Sequence, residues 1–199
     1  MIRQMTIRAR MALAFGAVRD PVRRCRTDER GASAVEFALI APVLLLIFFG
    51  TVELSQGVAI DRKVTITART LSDLVSQSTS INNTDMSNIF AAASSILTPY
   101  SVSPLGAKVA AVSIDGSGSA TVTWSDGSNA TPRAVGSAVT VPTALAVPNT
   151  QLILSEITYT FTPTVGYVVK TSISLSDYSY TRPRQSSSIC RPPTVTTCS

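Results

Sequence analysis

With no histidine and three cysteines in 199 residues, the chain lacks the groups for Ser-His-Asp or Cys-His nucleophilic catalysis, for His-ligated zinc and for a histidine pH switch. Carboxylates remain, and most stand where backbone geometry accounts for them. Asp115 and Asp126 are expected in turns, where Asp is favoured for local hydrogen bonding, and too few oxygen donors cluster around them for calcium. Gly116-Ser117-Gly118 lacks the third glycine of a dinucleotide loop, and no Ser occupies a nucleophile elbow. Asn129-Ala130-Thr131 fits a glycosylation triplet, a pattern common by chance in a Thr-rich chain. The expectation is a protein without catalysis, cofactor or metal; enzymes that use carboxylates alone stay formally open.

The unusual carboxylate is Glu36, which stands at the head of a long apolar run. Phe37 to Val52 is a stretch of sixteen residues without a charge, closed by Glu53, and counting from Ala32 the run has 21 residues. At 1.5 Å per residue that is about 31 Å of helix, one hydrocarbon thickness. A helix apolar on all sides is a membrane span or a deeply buried core helix, and the rest of this chain is too small to wrap it. A carboxylate in its opening turns is costly unless it sits shallow or has a partner. Two readings are open: Glu36 lies in the headgroup zone beside Arg30, favoured by the helix dipole, or it pairs with a cation from another chain or from a newly made N-terminal amine.

The charge around the span is one-sided. The net charge of +5 suggests nucleic acid when taken whole, but residues 1–30 carry eight Arg against Asp20, Asp28 and Glu29, and the other 169 residues carry nine basic and nine acidic groups. The basicity belongs to a leader, and no nucleic-acid partner is expected. A cleaved secretory signal has a shorter n-region and a small-x-small site after its apolar stretch, whereas here the stretch runs into Glu53-Leu54-Ser55-Gln56. The segment therefore reads as an anchor, with the N-terminus in the cytoplasm by the positive-inside rule and residues from about Glu53 outside.

Beyond Glu53, Ile60, Val64, Ala68, Leu71 and Val75 recur at helical spacing, so the span is expected to continue as one amphipathic helix to about Ser76, with a bend at Pro42 and weak points at Gly50 and Gly57. Ten charged residues in the 114 from Met86 onward, and nine of eleven Pro from Pro99 onward, mark a polar, uncharged outer region. Asn83-Thr84-Asp85 opens a helix with Met86, Ile89, Phe90, Ala93, Ile96 and Leu97 on its apolar face, ended by Thr98-Pro99. The period then becomes two. Strands over 109–114 and 120–124 form a hairpin about Asp115–Ser119, with Ala120, Val122 and Trp124 on one face. Residues 125–149 read as a long loop or weakly paired edge, followed by strands over 151–161 (Ile153, Ile157, Tyr159 and Phe161 on one side) and 168–180 (Ile173 and Leu175 facing in).

The expected architecture is α+β: leader 1–31, transmembrane helix 32–55, amphipathic stalk 56–80, outer domain 81–185 with a short helix and an antiparallel sheet of about four strands, and tail 186–199. The helices before the sheet are the only candidates to cover one of its faces. Cys25 falls on the cytoplasmic side and is expected reduced. Cys190 and Cys198 fall outside, where an oxidising compartment favours a disulfide pinning the tail over two free thiols.

The segment Arg30-Gly31-Ala32-Ser33-Ala34-Val35-Glu36-Phe37-Ala38-Leu39-Ile40-Ala41-Pro42, followed by Phe49-Gly50-Thr51-Val52-Glu53, closely resembles the N-terminal signature of TadE-like proteins, the TadE/TadG pseudopilins of tight-adherence (Flp-type) pilus systems. The likeness covers residues 26 to 70. Beyond it, Ile157-Thr158-Tyr159-Thr160-Phe161-Thr162-Pro163 is loosely similar to the outer domains of such proteins. The resemblance implies a pilin-like fold in the bacterial inner membrane with a periplasmic C-terminal domain. It implies an aspartyl prepilin peptidase cutting after Gly31, with Ala32 as new N-terminus and Glu36 neutralising a neighbouring subunit's terminal amine, and other pilus subunits and secretion-platform proteins as partners. Other members keep the leader as a permanent anchor. The rival is a membrane-tethered binding or sensing domain unrelated to pili, in which Glu36 is an interface residue.

Overall fold

Local patterns lay down each element and the pairing of their apolar faces assembles them. The computed structural model describes residues 29–163 and 171–193. Cys25, Cys198, most of the leader and the expected strand start at Val168 lie outside them. The elements are α1 (Glu29–Ser76), α2 (Asn83–Leu97), β1 (Leu105–Ile114), β2 (Ala120–Ser128), β3 (Thr150–Phe161) and β4 (Ile173–Thr181). All strand pairs are antiparallel in the order β2-β1-β3-β4. The α+β reading holds.

The chain divides into two units, Met1–Gly50 and Thr51–Ser199. In the first, the described residues are the apolar part of α1. In the second, the remainder of α1 covers the sheet, as expected of the helices before it. Ile60, Val64, Ala68, Leu71 and Val75, at most 2% exposed, form one cluster with Met86, Ala93 and Leu97 of α2 and with Val109, Ala111, Ile153 and Ile157 of the sheet. The predicted stripe is thus the cover of one sheet face. Gly57 faces Phe161, and a Cβ there would sit 3.6 Å from the ring, an ordinary contact. Gly57→Ala is accordingly expected to stabilise the unit by about 0.5–1 kcal/mol through helix propensity, measured by denaturant unfolding; a loss would mean that Phe161 cannot yield.

Capping places α2. Asn82, one residue before the predicted start, is the N-cap, accepting from Asp85 N–H at 2.9 Å while the Asp85 carboxylate accepts from Asn82 N–H at 3.1 Å, a capping box. At the other end Lys63 Nζ of α1 donates to the carbonyls of Ile96 (2.8 Å) and Thr98 (2.9 Å), a cation on the negative end of the α2 dipole.

Three expectations change. First, Ala120, Val122 and Trp124 do not share a face. The register slips between Ala111↔Trp124 and Val112↔Val122, so Thr123 is an extra residue, a β-bulge. One extra residue reverses the side-chain parity. Trp124 therefore joins the helix-side cluster, and Ala120 and Val122 join a second cluster on the opposite face with Ala110, Val112, Ile114, Leu152 and Leu154. Second, Asp126 is in no turn: β2 runs on through Ser125–Ser128, pairing Asp126 with Val109. Residues 129–149 then fold over the second face, where Val139 is buried and the Val139 amide donates to the Ala120 carbonyl at 2.9 Å. Third, Ile173 is 42% exposed instead of facing in, while Leu175 packs on the helix-side cluster.

The start of the expected tail is a structural strut. Ile189 is fully buried, its amide donating to Gln151 Oε1 (2.7 Å) and its carbonyl accepting from Trp124 Nε1 (2.9 Å). Cys190 N–H donates to the Thr79 carbonyl and Ile81 N–H to the Cys190 carbonyl, at 3.0 and 2.9 Å. Arg191, 6% exposed, makes a two-pronged bond to Asp126 at 2.7 and 3.0 Å. Cys190 is disulfide-bonded; its partner falls outside the described residues.

Candidate membrane and assembly segment

Residues 31–40 of α1 are all exposed, and from Ala41 to Gly50 only Ala41, Phe49 and Gly50 are partly covered. Phe37, Leu39, Ile40 and Leu44 to Phe48 each expose more than half their surface. Such a continuous apolar cylinder is unstable in water and is matched by hydrocarbon or by other apolar helices. Gly31–Ser76 is the one helix among the described residues long and apolar enough to cross a membrane, with a mean hydropathy of 2.4 over its 18-residue window. By length and composition this helix is consistent with a single-pass membrane anchor.

Within this cylinder the site residues take distinct places. Gly31 and Ala32 are in the first turn of α1, and a Cβ on Gly31 would meet nothing within 4 Å. No packing among the described residues asks for glycine there, although glycine in a helix costs about 1 kcal/mol against alanine. Glu36 lies four residues beyond Ala32, about 6 Å along the axis and on the same helical face. It is exposed, as is Phe37 at 67%. Pro42 lies inside the helix, which continues through it, and has no N–H to offer the carbonyl four residues back. Gly50 closes the first unit; Glu53 belongs to the second and is 2% exposed.

In the second unit, Glu156, Asp73 and Asp126 are each paired with an arginine. Arg133, from the segment over the second sheet face, grips Glu156 of β3 through Nε and Nη2, both at 2.7 Å, and Lys108 Nζ approaches at 3.6 Å. The Arg133 hydrogen bonds hold the Glu156 carboxyl below its ordinary value of 4.5. A depressed folded-state value contributes stability that is complete above the ordinary value and is lost as pH falls through the folded one. Glu156→Gln is therefore expected to flatten the stability profile below about pH 5, read by urea titrations at several pH values. A shallow acid slope remains from Asp115, whose carboxyl is lowered by the Ser117 hydroxyl in the hairpin turn. An unchanged acid slope in Glu156→Gln would show that the pair does not act on stability.

Sequence reasoning missed Lys63, Arg133 and Arg191, because each reaches its partner across more than twenty residues of chain. Asn129 also has a purpose outside the glycosylation triplet: at φ +50°, its amide donates to the Ser103 and Leu105 carbonyls at 3.0 and 2.9 Å.

Compared with known families, residues 31–71 match the family described as TadE-like protein. The match starts at the first turn of α1 and ends at Leu71, inside the helix-side core. No curated protein and no solved structure matches the chain.

Proposed function

From the TadE-like segment at residues 31–71, we propose that the chain is a non-catalytic, membrane-anchored component of a tight-adherence pilus system, a pseudopilin or assembly-platform protein acting by helix packing. The observation that carries the reading is the division of labour within α1: an exposed apolar stretch up to Gly50 and a buried stripe from Ile60 to Val75, with the family match across both. One helix thereby serves the lipid or neighbouring helices at one end and the α+β fold at the other.

In this reading a prepilin peptidase of the inner membrane cuts between Gly31 and Ala32, and the leader with its eight Arg sets the orientation before removal. The free glycine suits a protease that must draw the backbone into an extended form, since glycine resists helix. Glu36 then meets the amine of a neighbouring Ala32. An unpaired carboxylate in hydrocarbon is costly, so pairing rewards one axial register and penalises the others. The partners are other pilus subunits and the secretion platform, and the C-terminal domain is periplasmic. N-terminal sequencing of the membrane-extracted protein is expected to begin at Ala32; a start at Met1, or anywhere before Ala32, removes the processing step.

A further inference from the structure

A cleft of about 530 Å³ lies over the second face of the sheet, with Leu154 and Glu156 on its floor, Tyr178 and Tyr180 along one wall and residues 138–142 along the other. Its volume is within the roughly 300–1,000 Å³ usual for small-molecule sites. Strand register builds it. Glu156 of β3 lies opposite Lys108 of β1 and Tyr178 of β4, so the three side chains share a face. Tyr180, opposite Leu154, donates its hydroxyl to the Thr140 carbonyl at 3.3 Å and ties β4 to the covering segment across the cleft. The two tyrosine rings meet edge to face, 5.8 Å apart. That contact steadies Tyr178, which nevertheless stays 61% exposed and presents an apolar ring with a polar tip. Beside it stands the Arg133–Glu156 pair, fixed by bonds from Nε and Nη2 and still reachable, with side chains 32% and 22% exposed. Those bonds use two of the five guanidinium N–H groups, and the carboxylate keeps acceptor sites of its own.

We propose that this cleft binds a neutral oligosaccharide, with a pyranose ring laid on Tyr178 and its hydroxyls on the Arg133–Glu156 pair. The C–H groups of a sugar ring carry the slight positive charge that the face of an aromatic ring attracts. A hydroxyl both donates and accepts, so two neighbouring hydroxyls satisfy a guanidinium N–H and a carboxylate oxygen together. Other ligands fit less well. An anion meets the Glu156 carboxylate as well as Arg133, and it has no donor to offer. A proline-rich segment also suits tyrosines, but proline lacks an N–H, so the remaining acceptor sites of Glu156 would be covered without a partner. The cleft lies wholly in the second unit, so its failure to bind sugar leaves the pilus reading untouched.

The test is calorimetric titration of the full-length chain, in a detergent without a sugar headgroup, with maltotriose, cellotriose and chitotriose. At least one is expected to bind at a single site. Tyr178→Ala is expected to weaken that binding roughly tenfold, the size of one aromatic contact, and Tyr178→Phe to leave it almost unchanged. Arg133→Lys keeps the charge but loses the planar fork, and is expected to weaken it by a similar factor. Thermal unfolding followed by circular dichroism checks that each variant is folded; Tyr178, being exposed, tolerates truncation. A free oligosaccharide and a glycan polymer of the cell envelope offer the same ring, and purified murein sacculi separate them. Co-sedimentation that Tyr178→Ala abolishes assigns the polymer, trisaccharide binding without co-sedimentation assigns the free sugar, and either supports the cleft. Absence of binding by all three trisaccharides, or binding that Tyr178→Ala leaves unchanged, overturns the proposal. Displacement of the sugar by inorganic phosphate overturns it in favour of an anion site, and binding of octaproline that is lost in Tyr178→Ala overturns it in favour of a peptide groove.

Discussion

Trp124→Ala is expected to lower the unfolding free energy of the second unit by about 3–5 kcal/mol, the range for removing a large aromatic from a packed core. The indole is 1% exposed and belongs to the cluster that joins α1, α2, the sheet and Ile189. Its Nε1 is also the donor for the buried Ile189 carbonyl, so truncation both opens a cavity and strands an acceptor. Against a typical domain stability of about 5–15 kcal/mol, that is a large share. Trp124→Phe separates the two effects: most of the apolar volume stays and the carbonyl loses its partner, at a cost of about 1–3 kcal/mol. Because the chain has a single Trp, wild-type fluorescence reports this site directly, and the variants are followed by circular dichroism. If Trp124→Ala shifts unfolding by less than about 1 kcal/mol, the docking of Ile189 against β2 does not carry the stability assigned to it.

The second large effect concerns assembly and leaves the fold intact. Glu36→Ala is expected to abolish surface pili while the protein remains processed, membrane-bound and resistant to limited proteolysis. Glu36 is exposed in the first unit, and the buried core cluster of the second is built from residues of that unit alone. Under the proposed function the variant loses only the group that would select register, and in hydrocarbon its loss makes the helix easier to insert. Gly31→Ala acts one step earlier. A methyl group at Gly31 meets nothing within 4 Å among the described residues, so under the proposed function failure of this variant to lose its leader would trace to the peptidase. Electron microscopy of cells, blots of sheared fibres and the mass of the membrane-extracted chain are the readouts. Normal piliation in both variants eliminates the proposed mechanism, and loss of membrane association in Glu36→Ala would move the role of Glu36 from assembly to insertion.

The two predictions draw on different kinds of information. The Glu36 argument rests on residues 31–53, where a charge-free run and its flanking charges are visible in order along the chain. The Trp124 argument rests on a bulge and on a segment 65 residues away, and no periodicity announces either. Alternation alone puts Ala120, Val122 and Trp124 on one face. Only the pairing of β1 with β2 reveals Thr123 as an extra residue, because a bulge is a property of two strands and not of one.

The sequence by itself determined the features that depend on neighbours within a turn or two. These were the apolar run with the one-sided charge that flanks it, the stripe from Ile60 to Val75, the helix opened beside Asn83, the hairpin about Asp115–Ser119, and the TadE-like signature. Each arises from the period of a single helix or strand, or from a capping or turn residue acting locally. The tertiary structure decided which surfaces those elements share. It chose the sheet residues that the Ile60–Val75 stripe covers, set Lys63 on the end of α2, brought Arg133 to Glu156 and Arg191 to Asp126, and made Ile189 part of the core. Among the described residues it also set β4 at the end of the sheet, beside β3. The physical reason is range: propensity and periodicity act over about one helical turn, whereas these contacts exist only once chain closure has brought distant segments together.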